Sequence, residues 1–355
     1  MRNGVGLLRG ERAAMIGPVW LHLALIAFTA AAFGSAPALA RPTLPFGVRV
    51  PARRSREAVI LLARRRYNRG IGAAAIAACA VVLLGWLAFE AVLVGLVVVC
   101  SLLGGLAQRS IVAAKRKEGW YAGTRQAVAT DTSLRSDPVR PQWILLAPAV
   151  LLAVATAVVG LFAGAASFST IVAQVLVIGL VALMTVAISR ARPEIDAAQP
   201  SASASRYREY LHGVLGLLLI SAGCVNATLL VVSLQLWDVA ETTVPVTIVA
   251  YLPIATAFIA WIGFSVRAGD AGHRLPPTGD EPETRHEQRD DDRHWYAAGM
   301  IYVNRDDPAL LVHRRVGTYW TLNLGHPVAW LVLVAVAVAG VLTGFGVVAL
   351  PTKGG

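Results

Sequence analysis

The sequence predicts an all-α integral membrane protein: a polytopic helical bundle of about 8 transmembrane helices, with a small cytoplasmic β-hairpin-like element before the last helix. Three observations predict it. Of 355 residues, 56% are hydrophobic and only 15% are charged, against about 25% charged in soluble domains; mean hydropathy is +0.61. Apolar runs of about 20 residues, the length that crosses a ~30 Å hydrocarbon core, recur along the chain. The basic residues fall between these runs, concentrated in a few loops. A soluble globular protein, a disordered chain and a collagen-like chain are excluded on composition.

The runs cover residues 16–38, 144–162, 169–189, 214–237, 244–266 and 327–350. A further run over 71–107 is too long for one span, since its 37 residues would reach about 55 Å as a helix. Its one ionisable residue, Glu90, sits near the middle, so the reading is a tight hairpin of spans 71–89 and 91–107 with Glu90 at the turn. This divides the chain into an N-terminal membrane segment (1–107, with the basic loop 41–70) and a central membrane segment (108–266). An acidic flexible linker (267–293), a compact element (294–326) and the last helix (327–355) follow.

Orientation follows from the tendency of Lys and Arg to stay inside. Loops 41–70, 107–143, 190–213 and 267–326 carry nine, seven, four and eight basic residues, 28 of the 32 in the chain. These loops are read as cytoplasmic and the C-terminus as outside, in the plasma (inner) membrane. Two readings compete for residues 1–40. Arg2, Arg9 and Arg12, an apolar core and Ala38-Leu39-Ala40 also fit a cleaved signal peptide, but cleavage there would put the Arg-rich 41–70 segment outside and invert every later loop. An uncleaved first span is favoured. A first segment that dips in without crossing would leave seven spans and spare the three N-terminal arginines from facing outward.

The net charge of +11 is therefore expected to contact anionic lipid headgroups at the basic loops rather than nucleic acid. Arg64–Arg66 lack the interleaved aromatics of a base-stacking surface. Trp120 and Tyr121, after Lys115–Lys117, suit an interfacial anchor. His273 and His286 lie among acidic residues, a pattern that fits a solvated linker better than a cation site. Within 294–326, stretches 300–303 and 309–313 flank Asn304-Arg305-Asp306-Asp307-Pro308, a strong turn signal, which predicts that those two stretches pair. Cys79, Cys100 and Cys224 lie in apolar runs and read as small hydrophobes.

Several of these segments form a pattern: Phe46-Gly47-Val48-Arg49-Val50-Pro51; Lys115 with Gly119-Trp120; then Asp291-Asp292, Trp295, Gly299, Tyr302, Asn304, Asp306-Asp307-Pro308, Val312, Arg315, Gly317, Thr321 and Asn323. The pattern resembles an uncharacterised family of bacterial multi-pass membrane proteins, broadly related to the Sdp-type immunity proteins. It covers about 30 C-terminal residues and two short outposts, and departs at Arg305, where a proline is usual. The resemblance implies a membrane protein of unknown activity, with a link to sensing or resisting an envelope-active agent as one expectation. Phe46, Gly47, Arg49, Pro51, Lys115, Trp120, Trp295, Gly299, Tyr302, Asn304, Asp307, Pro308, Arg315, Gly317 and Asn323 make a candidate interaction surface for a cytoplasmic protein partner.

Enzyme chemistry finds no support. P-loop, G-x-S-x-G, H-E-x-x-H and paired His/Cys metal spacings are missing from the sequence, so no catalytic residue, metal or cofactor is expected. Polar residues in apolar spans are costly and serve as functional clues. Gln174, Asn226, Pro253 and Glu90 form a candidate intramembrane polar site, with Pro253 and Pro148 read as breaks in their spans. Two functions are weighed: a non-enzymatic multi-pass protein working through its cytoplasmic face, and a secondary transporter or permease with a midplane site. Gly340-x-x-x-Gly344 permits close helix packing without fixing an oligomeric state.

Overall fold

A computed structural model describes residues 4–127, 137–164, 169–276, 284, 286–317 and 319–344. It contains helices α1 (Gly4–Leu39), α2 (Ala58–Leu83), α3 (Phe89–Lys117), α4 (Ala147–Phe162), α5 (Ser169–Ser189), α6 (Pro200–Leu236), α7 (Val244–Ala268) and α8 (Pro327–Gly344). Six stretches among the described residues are long and apolar enough to cross a membrane, in α1 and α3 to α7. The chain is a multi-pass membrane protein. Its outward faces agree: Ile76, Leu151, Leu161, Phe162, Leu176, Leu183 and Leu331 are exposed, which suits hydrocarbon and not water.

Chain contacts group the molecule into two compact units. The first comprises Met1–Gln126, Arg289–Met300 and Arg315–Gly317; the second comprises Ala127–Gln288, Ile301–Arg314 and Thr318–Gly355.

In the first unit, α1, α2 and α3 pack around Ile26, Ile60, Tyr67, Ile71, Leu96, Cys100 and Ile111. The break between α2 and α3 is not at Glu90. It falls at residues 84–88, and Glu90 lies in the first turn of α3. Glycine chemistry decides this. Gly85 takes φ +65, its N–H bonds Val82 O, and the Trp86 N–H bonds Val81 O. This paired termination satisfies the last helical carbonyls and needs a left-handed residue. Glu90 is left where a carboxylate favours a helix N-terminus. The apolar part of α2 is thereby cut to residues 71–83, about 20 Å of helix, and α2 is not among the six long apolar stretches. Arg64, Arg65, Arg66 and Arg69 lie inside α2 rather than before it.

In the second unit, α6 is central and packs against α4, α5 and α7. Small residues permit this. Ala149, Ala153, Thr156 and Gly160 form the buried stripe of α4, the spacing that lets apolar helices approach closely. A Cβ on Gly213 would lie 2.4 Å from the Phe264 ring. Pro148 does not interrupt α4: it occupies the first turn, after the 3-10 turn Trp143–Leu146, where its missing N–H costs nothing. Pro253 lies inside α7. Thr228 Oγ1 donates to the Ala250 carbonyl, 2.7 Å away, in the turn before it.

The strand pairing also differs from expectation. Strand β1 (Leu311–His313) pairs antiparallel with β2 (Trp320–Leu322), in register Leu311↔Leu322, Val312↔Thr321 and His313↔Trp320. The stretch 309–313 therefore turns back through residues 314–319, not through the Asn304–Pro308 turn. Part of the expected linker is packed rather than solvated. Asp270–Gly272 forms a buried 3-10 turn, and Ala271 and Leu275 join a core with Tyr207, Tyr210, Leu211 and Val214. The remaining linker residues 277–283 and 285, residues 165–168 of the turn after α4, and the last expected span beyond Gly344 lie outside the described residues.

Candidate functional site

In the first unit the motif residues assemble at the end of α3. Gly119 takes φ +56; its N–H bonds Arg116 O at 3.4 Å, and the Trp120 N–H bonds Lys115 O at 3.2 Å. Lys115, Gly119 and Trp120 are thus one helix terminus of the paired type. Trp120 is buried, with Nε1 donating to Glu118 Oε2 at 2.8 Å, so it is a core residue and not an interfacial anchor.

Lys115, held in this last turn, reaches two carboxylates. Its Nζ lies 2.8 Å from Asp290 Oδ1 and 2.6 Å from Asp292 Oδ2. Arg49 donates from its backbone N–H to Asp292 Oδ1 at 3.0 Å and from Nε to Asp291 Oδ1 at 2.9 Å. Arg315 bonds both Asp291 and Asp292, donates to Gly47 O at 2.8 Å, and lies over the Trp295 ring, 5.0 Å from its centre. Trp295 Nε1 donates to Asp291 Oδ2 at 3.2 Å. Three cations, 4%, 8% and 1% exposed for Arg49, Lys115 and Arg315, meet three consecutive aspartates. Burial pushes the Asp291 and Asp292 carboxyls upward, but the guanidinium of Arg49 beside Asp291, Arg315 beside both and the ammonium of Lys115 beside Asp292 outweigh it and hold both below the usual carboxylate range.

Two glycines make this packing feasible. Gly47 (φ +76) and Gly299 (φ +84) back onto each other. A Cβ on Gly47 would lie 2.3 Å from Ala298 O, and one on Gly299 2.7 Å from Arg315 Cβ and 3.1 Å from Gly47 Cα. Phe46 seats its ring edge on Tyr67, 5.1 Å between centroids, and Pro51 precedes the 3-10 turn Ala52–Arg54. Gly317 takes φ +84.

The second unit holds a separate polar knot. Asn323 is fully buried. Its Nδ2 donates to the carbonyls of Asn304, Asp307 and Ala309 at 2.8, 3.0 and 3.2 Å. Its Oδ1 accepts from the N–H groups of Asn304 and Gly325, both at 3.0 Å. One side chain thereby fixes the turn holding Asp306, Asp307 and Pro308. Tyr302 Oη donates to Asp307 Oδ2 at 3.0 Å and accepts from Asn304 Nδ2 at 3.1 Å. Arg192 pairs with Asp307 and covers the Tyr302 ring, 5.2 Å from its centre. Nearby, His313 lies 3.4 Å from Asp270 and 3.4 Å from Tyr210 Oη, ringed by Tyr207, Tyr210 and Trp320.

Within the helices, Gln174 and Asn226 do converge. Gln174 Nε2 donates to Thr156 Oγ1 and to Asn226 O, each at 3.0 Å, and Asn226 Nδ2 donates to Ala149 O at 2.9 Å. Pro253 is not part of this junction; Thr228, not Asn226, bonds the turn before it. Glu90 is exposed on α3 and belongs to the first unit.

Most residues of the candidate interaction surface thus point inward. Phe46, Gly47, Arg49, Lys115, Trp120, Trp295, Gly299, Tyr302, Arg315 and Asn323 are buried. Sequence reasoning does not single out Arg192, Asp270, His313, Thr156 or Gly325, and reads Asp290 only as part of a solvated acidic linker. Only Gly325 left a local trace, as a glycine beside Asn323; a Cβ there would lie 2.4 Å from the Asn304 carbonyl carbon.

A family model described only as a family of unknown function (DUF5808) matches residues 305–330. The matched stretch includes Asp306, Asp307, Pro308, Val312, Arg315, Gly317, Thr321 and Asn323, and stops short of Asp291–Asn304 and of the two earlier segments. No curated protein and no solved structure matches the chain.

Proposed function

We propose that this multi-pass membrane protein is not an enzyme and acts through its cytoplasmic face, sensing or giving protection against an envelope-active agent, as its broad likeness to the Sdp-type immunity proteins suggests. The observation that carries the reading is the buried lock of Arg49, Lys115 and Arg315 with Asp290–Asp292. A lock of this kind adds little net stability over apolar packing but specifies one arrangement of the chain, which suits a shaped surface more than a reaction centre. The locked residues are the frame. Among the side chains presented around them in the first unit are Tyr296 and Met300, both exposed, and a protein partner would meet those. Replacing both by serine should abolish capture of the partner while insertion into the membrane is retained. Unchanged capture would end this reading.

The topology belongs to the same proposal: eight spans in the plasma membrane, long basic loops inside and the C-terminus outside. The charge count supports it, together with six long apolar helices and one shorter one among the described residues. Cysteine labelling should find Ser133 and Ser203 protected from outside and Thr242 accessible, and the reverse pattern would overturn the orientation.

A transporter remains the second reading, on one observation. Gln174 Oε1 and Asn226 Oδ1 are buried acceptors with no donor among the described residues, at a junction of α4, α5 and α6. Vesicles containing the protein should then show ion or solute flux that Asn226→Leu removes; no flux with either form excludes this reading.

A further inference from the structure

The lock borders a cavity of about 620 Å³ in the first unit. Asp290 and Asp292 line it, but both are taken up by Lys115 and Arg315. With Arg49 and Asp291 included, the lock is neutral. Three further cations line the same cavity: Arg109, Arg116 and Arg293. All three are exposed. Among the described residues the guanidinium groups of Arg109 and Arg116 have neither a hydrogen bond nor an ion pair, and that of Arg293 bonds only His294 Nε2, at 3.0 Å. Among the described residues that line it, the cavity therefore carries an excess of three positive charges with no counterion. Val48, Val112 and Trp295 add apolar wall, and Gln108 one neutral polar side chain.

The direction of α3 says where an occupant would come from. Leu102, Leu106, Arg109, Ala113 and Arg116 follow one another at alternating steps of four and three, one face of the helix. Leu102 and Leu106 are exposed and suit acyl chains. Arg109 follows them by one turn and Arg116 by three, about 10 Å further along the axis than Arg109. An apolar strip that leads into a cluster of unpaired guanidinium groups matches a molecule with hydrocarbon at one end and phosphate at the other, and arginine forks suit phosphate oxygens. We propose that this cavity binds the phosphate head of an anionic glycerophospholipid, with its acyl chains along Leu102 and Leu106. The inference rests on the membrane-spanning character of the chain and not on the sensing role.

Native mass spectrometry of the full chain, released from micelles supplemented with phosphatidylglycerol or phosphatidylcholine, tests it. The expected result is a retained phosphatidylglycerol and no retained phosphatidylcholine. Each surface-level arginine is worth about 5-fold, so Arg109→Gln with Arg116→Gln should weaken phosphatidylglycerol binding by roughly 30-fold. Arg65→Gln with Arg66→Gln, which removes the same charge from α2, should leave it within about 2-fold. Equal loss from the α2 pair would show charge attraction without a site and overturn the proposal. So would undiminished binding in the α3 pair, equal retention of phosphatidylcholine, or displacement of the lipid by equimolar glycerol phosphate, which would assign the cavity to a soluble phosphate.

Discussion

Arg315→Met tests the central claim about the lock. The substitution removes a cation that is 1% exposed and leaves Asp291 and Asp292 each one partner short. Breaking a buried ion pair from one side costs about 3–5 kcal/mol. The low end applies, because the two aspartate side chains keep 25% of their surface, and Arg49 and Lys115 still hold one each. A loss of about 3 kcal/mol is a factor of roughly 100 in the local opening equilibrium. Amide hydrogen exchange on the protein in micelles reads this at the Arg49 N–H, which bonds Asp292, and at the Met300 N–H, which bonds Tyr296 O. Exchange at both should rise about 100-fold, with the amides of α5 and α6 unchanged. Adding Asp291→Asn to Arg315→Met restores the balance of charge and should recover about a tenfold part of the loss, since removing both partners is milder than removing one. Exchange within 3-fold of wild type in the single variant, or a double variant worse than the single, would refute the reasoning.

The remaining predictions concern pH, glycine and the polar knot. Asp291 and Asp292 are held below the usual carboxylate range, so their contribution is complete above the unfolded value of about 4 and is lost as pH falls through the lower folded values. Protection of the Arg49 amide should be flat from neutral pH to about 5 and fall only below about 4; a fall near 6 would assign it to a histidine instead. Gly299→Ala should cost clearly more than Gly85→Ala. Both glycines have positive φ, which costs alanine about 1–2 kcal/mol, but only Gly299 also meets Arg315 Cβ and Gly47 Cα, whereas Gly85 faces open space. Equal shifts in thermal midpoint would contradict the close approach. Asn323→Ala removes five hydrogen bonds around the Asn304–Ala309 turn, about 3–5 kcal/mol at ~1 kcal/mol each. Trypsin should then cut rapidly after the exposed Arg305, and resistance equal to wild type would count against the knot.

Local signals served well wherever a short stretch of chain decides its own structure. The spans at 144–162, 169–189 and 244–266 recur almost unchanged as α4, α5 and α7, since apolar length alone sets them. The hairpin within 71–107 is legible from its excess length, but the charge of Glu90 points to the wrong turn, since the glycine at 85 governs it. A helix ends where a residue can take the left-handed conformation, while a carboxylate is welcome inside the first turn. Turn chemistry at Asn304–Pro308 was read correctly as a turn and wrongly as the link between the two paired strands. Its closure comes from Asn323, which no local pattern announces.

Composition and spacing determined by themselves that this chain is helical and lies in a membrane, because lipid leaves the backbone few choices and sets the length of each apolar run. The resemblance, not composition or spacing, pointed to most of the residues found in the lock and the polar knot. Tertiary structure alone decided which aspartate meets which cation. Arg49 and Asp291 are 242 residues apart, and an isolated run of acids reads as solvated until its partners are known. The same folding turned a supposed outer surface into a buried frame, and left the Arg109, Arg116 and Arg293 guanidinium groups without a carboxylate partner among the described residues. An ion pair's worth depends on burial and on what else is near, and neither quantity exists before the chain is folded.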